Sequence, residues 1–373
     1  MRLSNIGNLG VKELRSLVRD PIMLVLIVYA FTFSVYTAAT AMKSTLFRAP
    51  IAIVDEDQSP LAARIAAAFY PPDFLPPTMI APQELDARMD AGTDTFALDI
   101  PPNFQRDVLA GKQPTLKLDI DATRMTQAFT GNSIIQNIVF GEVNAFLKRY
   151  RDITDTVVNL VVRARFNPTL DNERFLGVMH VIDNVTLLAI VLTGAALIRE
   201  REHGTIEHLL VMPITPFEIM TSKVWAMGLV VLVACYTAIL IVVQGVLSVP
   251  IEGSILLFLV GAVLHLFATT SMGIFLATLA RSMPQFGLLM MLMLVPLQML
   301  SGSMTPRESM PDVVQTIMLA APNTHFVMLA QAVLFRGAGL AVVWPNLLAL
   351  AAIGLALFLF ALARFRKAIT LMA

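Results

Sequence analysis

Long apolar segments alternate with short polar ones along most of this chain. Six of them carry almost no charge over about 20 residues or more, the length that a helix needs to cross the hydrocarbon core of a bilayer. They are residues 21–40, 175–198, 224–249, 254–280, 283–304 and 344–363. The pattern predicts six transmembrane helices, with TM1 at residues 21–41 and TM2 to TM6 within residues 175–373.

The composition points to the same class of protein. Of the 373 residues, 56% are hydrophobic and 14% are charged, whereas soluble domains carry about 25% charged residues. The formal net charge of zero argues against a nucleic-acid partner. The single cysteine, Cys235, allows no intramolecular disulfide, and with five scattered histidines it predicts no metal site.

Lysine and arginine lie mainly at alternate ends of the apolar segments. One set of flanks carries Arg2, Lys12, Arg15, Arg19, Arg199, Arg201, Lys223, Arg281, Arg364, Arg366 and Lys367. The positive-inside rule therefore predicts that both termini are cytoplasmic and that residues 42–174 lie outside. A cleaved signal peptide is the alternative for TM1, because Ala39-Thr40-Ala41 follows the apolar run. The run itself is longer than the usual 7–15 residues of such peptides.

Residues 1–20 predict a cytoplasmic amphipathic helix. Ile6, Leu9, Leu14, Leu17 and Val18 recur near helical spacing, as expected for a helix lying on the membrane surface. A plain cytoplasmic extension of TM1 is the alternative.

Residues 42–174 are long enough to form a domain with its own core. Runs of buried or alternating apolar residues predict strands, and start signals followed by helical spacing predict helices. The strands are expected at 49–57, 95–100, 115–121 and 156–166, and the helices at 59–70, 82–92 and 121–151. This order predicts a small mixed α/β domain inserted between TM1 and TM2.

The acidic run Asp55-Glu56-Asp57 has two interpretations. Carboxylates are ligands of hard cations, but Pro60 and Leu61 occupy positions where further ligands would be needed. A solvated strand end that caps the next helix is the preferred interpretation, and we expect no bound metal.

The chain lacks the usual motifs of an enzyme. No G-x-x-x-x-G-K-[ST] run is present, and Gly111-Lys112 is followed by Gln113, so no P-loop for ATP is predicted. No His-Glu-x-x-His run or serine nucleophile motif is found either.

Three ionisable residues lie inside predicted transmembrane helices. His180 and Asp183 share a face of TM2, and His265 lies near the middle of TM4. Such residues are costly in a bilayer, so they mark either a substrate or proton pathway or a polar clamp between packed helices. The clamp is the preferred interpretation, because three residues on two helices do not make a relay.

The loop after TM2 combines dense charge with a short apolar run. From Ile198 to Ile219 it reads IREREHGTIEHLLVMPITPFEI. From the residues alone, a short amphipathic helix parallel to the membrane and a solvated loop are equally supported.

This loop resembles the first cytoplasmic loop of ABC-2 type permeases, which carries E-x-E-x-G-T-x-E-x-L-L followed by a proline. The matching residues are Glu200, Glu202, Gly204, Thr205, Glu207, Leu209, Leu210 and Pro213. In that family the segment, here residues 199–220, is a coupling helix that docks on the ATPase subunit. The resemblance implies that Glu200, Glu202 and Glu207 pair with basic groups of that partner, and that Gly204 and Thr205 set the turn.

A second resemblance follows TM5. The family run S-G-x-x-x-P-x-x-x-M-P, with a later proline, matches Ser301, Gly302, Pro306, Met310, Pro311 and Pro322. Independently of the family, residues 310–320 and 324–335 are apolar stretches too short to span. They predict a re-entrant hairpin within residues 305–340 that plugs the outer mouth of a pathway.

The resemblance covers essentially the whole chain and implies a six-helix polytopic membrane protein of the ABC-2, or type V exporter, kind. Its function would be that of a permease subunit in the bacterial inner membrane, exporting drugs, lipids or other amphipathic compounds. The implied partners are an ABC ATPase that carries ATP and Mg²⁺, a second permease copy or paralogue, membrane lipid and a periplasmic adaptor protein. The chain itself would bind no cofactor.

Two other classes of function stay open at this point. One is a non-transporting complex in which a partner ATPase drives mechanical change or envelope remodelling. The other is a membrane enzyme that uses His180, Asp183 and His265 and needs no ATPase.

Overall fold

The computed structural model describes residues 3–41, 46, 48–121, 125–150, 172–202, 204, 214–304, 307 and 310–370. The chain divides into a helical unit, residues 1–41 with 164–373, and a sheet unit, residues 42–163. In chain order the elements are α1 (Leu3–Val18), α2 (Pro21–Phe31), α3 (Phe33–Ala41), β1 (Ile51–Asp55), α4 (Pro60–Ala67), β2 (Thr78–Met79), α5 (Leu85–Asp90), β3 (Phe96–Ile100), α6 (Phe104–Leu109), β4 (Lys117–Ile120), α7 (Met125–Tyr150), α8 (Asn172–Glu202), α9 (Pro216–Ala238, continued by a π-helix at Ile239–Val246), α10 (Ile255–Leu279), α11 (Met283–Met299), α12 (Asp312–Met318), α13 (Pro322–Ala330, continued by a π-helix at Gln331–Phe335) and α14 (Leu340–Thr370).

Five stretches in the described part of the chain are long and apolar enough to cross a membrane. They are Pro21–Thr40, Leu176–Glu202, Pro216–Val246, Ile255–Leu279 and Leu340–Ala368. A sixth results if Asp312–Met318 and Pro322–Phe335, which are bent by 93°, form one broken span. The helical, polytopic character predicted from the sequence is confirmed.

The predicted TM5 at residues 283–304 is shorter in the structure. α11 ends at Met299 after 17 residues, a length of about 26 Å at ~1.5 Å per residue. It stops there because the Ser301 and Ser303 hydroxyls donate back to the carbonyl of Gln298, and Gly302 adopts a φ of 99°. A residue with positive φ cannot continue a right-handed helix.

The starts of α2 and α9 are fixed by side-chain caps. The Asp20 carboxylate accepts a hydrogen bond from the Met23 N–H, and Pro21 follows as the first residue of α2. Thr215 and Glu218 form a capping box at the start of α9. These contacts satisfy N–H groups that a helix leaves unpaired, so the first residue of each of these helices is set locally.

α8 is the central helix of the helical unit. It packs against α2, α3, α9, α10, α11 and α13, and most of its apolar stretch is buried. Its backbone comes close to α10, where a Cβ added to Gly273 would lie 2.7 Å from the Ile190 carbonyl oxygen. Displacement of α8 must therefore disturb most of its neighbours.

The segment predicted as a hairpin, residues 305–340, contains α12 and α13 with a sharp bend between them. α12 begins after Pro311 and α13 begins at Pro322, because proline suits the start of a helix and stops the one before it. Its position at the outer face of the membrane stays a prediction.

The sheet unit holds a four-stranded sheet of order β2-β1-β3-β4. β1 is parallel to β2 and β3, and β3 is antiparallel to β4. Apolar residues of β1 and β3 pack with α4 and α7, where a Cβ on Gly131 would meet the Phe96 ring at 2.1 Å. The described elements agree with the predicted strands and helices except for β2 and α6, which were not predicted from the sequence. The strand predicted at residues 156–166 lies outside the described residues.

The acidic run after β1 caps backbone groups. Asp55 accepts hydrogen bonds from the N–H groups of Asp57 and Gln58, at 3.0 and 2.8 Å. The Asp57 carboxylate accepts from the Gln105 N–H at the start of α6, 3.0 Å away. Both carboxylates thus have a structural role at the strand end.

Candidate functional site

Four consecutive charged residues, Arg199 to Glu202, form the last turn of α8. Each contacts a different part of the helical unit. We call these four residues and their partners the charged junction. It lies at the end of α8 that leads into the predicted coupling segment.

Glu200 is the centre of a buried ion-pair network. Its Oε1 lies 2.6 Å from the Lys12 ammonium on α1, and its Oε2 lies 2.7 Å from the Lys223 ammonium on α9. Lys223 also lies 3.0 Å from the Glu13 carboxylate. Lys223 and Glu13 are 1% and 5% exposed. Buried charges persist only when paired and hydrogen-bonded, so this network fixes α1 and α9 against the end of α8.

The electrostatics at the edge of the junction follow from these pairs. Partial burial alone would lower the pKa of Lys12, but its hydrogen bond to Glu200 and the charges of Glu200 and Glu13 raise that pKa above its usual value. Burial alone would raise the pKa of Asp20, but hydrogen bonds from the Met23 N–H and the Arg199 guanidinium lower it. Both groups are therefore charged at neutral pH.

Arg201 and Glu202 bind the two helix ends at the α10–α11 turn. The Arg201 guanidinium donates to the carbonyl oxygens of Ala280, at 2.6 Å, and Ala277, at 3.4 Å. The Glu202 carboxylate accepts from the Met283 N–H at 3.0 Å. A cation thus meets the C-terminus of α10 and an anion meets the N-terminus of α11, which is the favourable arrangement for both helix dipoles.

α1 is also seated by a close contact with α9. The Trp225 indole donates to the Ile6 carbonyl at 3.2 Å. A Cβ on Gly10 would lie 2.0 Å from the Trp225 ring, so only glycine permits this approach. The predicted amphipathic helix is present, and its packed side faces α9.

The motif residues of the coupling segment fall into two groups. Glu200 and Glu202 lie in α8, and Gly204 follows with a φ of 67°. This left-handed conformation ends the helix, in line with the turn predicted there. The other motif residues lie outside the described residues; they are Thr205, Glu207, Leu209, Leu210 and Pro213. The boundaries of the predicted coupling helix, 199–220, overlap the last turn of α8 and the first turn of α9.

The intrachain contacts of Glu200 and Glu202 were not anticipated. The sequence predicts that these carboxylates bind a partner protein. In the structure both contact groups of this chain: Glu200 pairs with two lysines, and Glu202 accepts a hydrogen bond from a backbone N–H. Pairing of Glu207 with a partner stays a prediction.

His180 and its neighbour Asn184 hold α8 to the first span. His180 Nε2 and the Ser34 hydroxyl are 2.7 Å apart. The Asn184 amide donates to the Ala30 carbonyl at 2.6 Å, next to the break between α2 and α3. The Asn184 contact places a buried polar side chain against a carbonyl near a helix end.

Asp183 contacts the turn after α11. The Ser303 hydroxyl donates to its carboxylate at 3.3 Å, and the Gln298 amide donates to its backbone carbonyl at 3.3 Å. Ser301 joins this group through a 3.2 Å contact with Ser303. The carboxylate is therefore part of the contact that joins α8 to the end of α11.

His265 belongs to a third polar contact. Its Nε2 lies 2.9 Å from the Thr186 hydroxyl, which also donates to Asn323 Oδ1 at 3.2 Å. The imidazole stacks on Phe326 with ring centroids 4.2 Å apart. Among the described contacts, no hydrogen bond joins His180, Asp183 and His265 to one another. The arrangement supports the clamp hypothesis, since each of the three holds α8 or α10 to a different neighbour.

The predicted outer gate is partly described. Gly302 accepts a hydrogen bond at its carbonyl from the Gln331 amide of α13, 3.2 Å away. Ser301 and Met310 are buried. Pro311 immediately precedes α12, and Pro322 is the first residue of α13. Pro306 lies outside the described residues. The α11 end and the bent pair are thus joined directly.

Sequence reasoning missed several residues of both sites. The sequence predicts no functional role for Glu13, Lys223, Thr186 or Asn323. A lysine inside an apolar helix was the available signal for Lys223, because such a side chain requires a partner. Within the described residues, no group of three or more His, Cys, Asp or Glu side chains could hold a metal ion.

Comparisons with known proteins agree with this architecture. Residues 21–363 match the family model described as ABC-2 family transporter protein. The chain is 64% identical over 371 residues to the inner membrane transport permease YhhJ of Escherichia coli K12, covering 100% of this chain and 99% of that protein. It is 25% identical over 340 residues to the probable multidrug ABC transporter permease YbhR of the same organism, covering 90% of this chain and 91% of that protein. It is 26% identical over 350 residues to the probable multidrug ABC transporter permease YbhS, with 88% of each covered.

The resemblance inferred from the two loop motifs is confirmed by these matches, which span both motifs and the intervening helices. The chain belongs to the ABC-2 family of transporter proteins and is a multi-pass inner-membrane permease of an ABC transporter.

Proposed function

We propose that this permease is driven by a separate ABC ATPase subunit that docks on the predicted coupling segment, residues 199–220. The observation that carries the proposal is the charged junction at the start of this segment. Arg199 to Glu202 contact α1, α2, α9 and the α10–α11 turn. A displacement of the segment would act on all of these elements together, which is what a coupling element must achieve.

The direction and cargo of transport are part of the same proposal. Two relatives are described as probable multidrug ABC transporter permeases, and we propose that this chain exports amphipathic compounds such as drugs or lipids from the cytoplasm or inner leaflet. Spans rich in methionine suit an adaptable apolar surface. ATP and Mg²⁺ would be bound by the ATPase subunit.

The assembly would contain two permeases, either two copies or this chain with a paralogue. The sheet unit would lie in the periplasm, with both chain termini in the cytoplasm, and would meet an adaptor protein there. The α/β fold with its own core supports a separate docking domain.

Co-purification tests the ATPase assignment. The chain, tagged and expressed with its neighbouring genes, should retain an ATPase subunit in detergent and stimulate its ATP hydrolysis. Glu207→Lys should abolish retention and stimulation at unchanged membrane levels, because it reverses the charge offered to the partner. Glu84→Lys makes the same charge change at an exposed site of the sheet unit and should behave as wild type.

Two results would count against the proposal. Wild-type stimulation by the Glu207→Lys permease would remove the docking assignment. Stimulated ATP hydrolysis with no flux of amphipathic dyes in reconstituted vesicles would favour the mechanical, non-transporting function.

A further inference from the structure

The first helix has three distinct faces. Its packed face is buried and consists of Gly10, Glu13 and Leu17. Exposed apolar residues lie on a second face, namely Leu3, Val11 and Val18. Exposed cationic residues lie on the third, namely Lys12 and Arg15, and the exposed Arg19 follows directly after the helix. An apolar face beside a cationic one is typical of a helix at the boundary between acyl chains and headgroups.

A half-open cavity of about 310 Å³ lies between α1, α8 and α9. Its polar wall includes Lys12, Ser16 and Arg199, and its apolar wall consists of Leu17, Ala196 and Met227. The volume is at the lower end of the ~300–1,000 Å³ typical of ligand sites.

Charges around this cavity are arranged with the cations outward. Glu13 and Glu200 also line it, but their side chains are only 7% and 12% exposed; both pair with Lys223, and Glu200 also pairs with Lys12. The side chains of Lys12 and Arg199, whose carboxylate partners are Glu200 and Asp20, are 49% and 33% exposed and are the more open groups of the cavity. An incoming ligand therefore meets an ammonium and a guanidinium first, which favours an anion.

The cavity lies at the level where the spans end. Arg199 pairs with Asp20, the residue that caps α2. The first turns of α2 expose Ile22 and Val25, at 76% and 68%, as expected for a surface covered by lipid. The boundary between hydrocarbon and headgroups is therefore close to the cavity.

We propose that this cavity binds the phosphate headgroup of an anionic membrane phospholipid. Lys12 and Arg199 would contact the phosphate oxygens, the Ser16 hydroxyl would donate to one of them, and Leu17 and Met227 would lie against the start of the acyl chains. Guanidinium and ammonium groups near a membrane surface are suited to this chemistry. A bound lipid would bridge α1 and α8 and so stabilise the seating of α1.

A thermal unfolding experiment on the purified, full-length permease in detergent tests the site. Dioleoylphosphatidylglycerol should raise the unfolding midpoint of the wild type by several degrees. Dioleoylglycerol, which has the same acyl chains and no phosphate, should not. Inorganic phosphate should also leave the midpoint unchanged; an equal shift with phosphate alone would overturn the lipid assignment.

A matched pair of variants locates the effect. Ser16→Trp fills the cavity from an exposed position, and the phosphatidylglycerol shift should be lost. Arg15→Trp places the same ring on the neighbouring exposed residue, away from the cavity, and the shift should remain. Equal shifts in the two variants would overturn the proposal. If Ser16→Trp does not accumulate in the membrane, Ser16→Leu replaces it.

Native mass spectrometry gives an independent readout. The wild type and Arg15→Trp should retain phosphatidylglycerol after detergent removal, whereas the Ser16 variant should lose it. Co-purification of the ATPase is measured separately, so a wild type that retains the ATPase but no phosphatidylglycerol would reject this inference alone.

Discussion

The ammonium of Lys223 lies 2.7 Å from the Glu200 carboxylate, although the Lys223 side chain is only 2% exposed and sits in a mostly apolar helix. The same ammonium reaches Glu13 on α1 at 3.0 Å. One lysine thus joins three helices at the point where the predicted coupling segment begins. Such a residue is tolerated in this place because two carboxylates replace its hydration.

Loss of the Lys223 charge should destabilise the helical unit. Lys223→Met would leave Glu13 and Glu200 buried with fewer cations, and breaking a buried pair costs about 3–5 kcal/mol. The measurement is the unfolding midpoint in detergent. Lys117→Met is the control, because Lys117 forms an exposed pair in the sheet unit and exposed pairs contribute little.

The triple change Lys223→Met, Glu13→Gln and Glu200→Gln should recover part of this loss, since it removes the two carboxylates that Lys223→Met leaves with Lys12 as their remaining cation. Equal midpoints for Lys223→Met and Lys117→Met would show that the buried network does not stabilise the fold.

Gly10 should be intolerant of any side chain. In a Trp344→Phe background, which leaves Trp225 as the single tryptophan, Gly10→Ala should push α1 away and shift Trp225 emission to the red with greater quenching by acrylamide. Gly7→Ala, on the same helix with open space around it, should leave emission unchanged. Identical spectra for the two variants would contradict the observed seating of α1.

The spans and most sheet-unit elements could be predicted from the sequence because their signals are local. Apolar runs of sufficient length define α8, α9, α10 and α14, and alternating or buried runs define β1, β3 and β4. β2 was missed because two residues give no pattern. The end of α11 was predicted too late because Ser301 and Gly302 are compatible with an apolar run, and only the Ser301 contact with the Gln298 carbonyl and the positive φ of Gly302 show the stop.

The charged junction could not be predicted in the same way. Glu200 and Lys12 are 188 positions apart, and Lys223 and Glu13 are 210 apart. The local pattern reveals that these residues are charged in a membrane protein, but the partner of each is decided by helix packing. A motif that matches a partner-binding segment therefore also contained residues that hold the permease together.

The contact between α8 and α10 should depend on the size of Gly273. Gly273→Ala would place a Cβ 2.7 Å from the Ile190 carbonyl, and overpacking of this kind costs about 1–3 kcal/mol. Gly287→Ala on α11 adds the same methyl group to open space and should be neutral. The measurement is the unfolding midpoint of each variant in detergent. An unchanged midpoint for Gly273→Ala would mean that α8 and α10 are less closely packed than the structure shows.

Asp183 separates the clamp hypothesis from the proton-relay hypothesis. Asp183→Asn keeps an acceptor for the Ser303 hydroxyl and the backbone carbonyl for Gln298, but it cannot exchange a proton. We expect wild-type stability, wild-type stimulation of the co-purified ATPase and an unchanged pH profile of that stimulation. Asp183→Leu, of similar size, removes the acceptor and should lower the unfolding midpoint, because it leaves the buried Ser303 hydroxyl without this partner. Loss of stimulation or an altered pH profile in Asp183→Asn, at normal stability, would instead support a relay through this carboxylate.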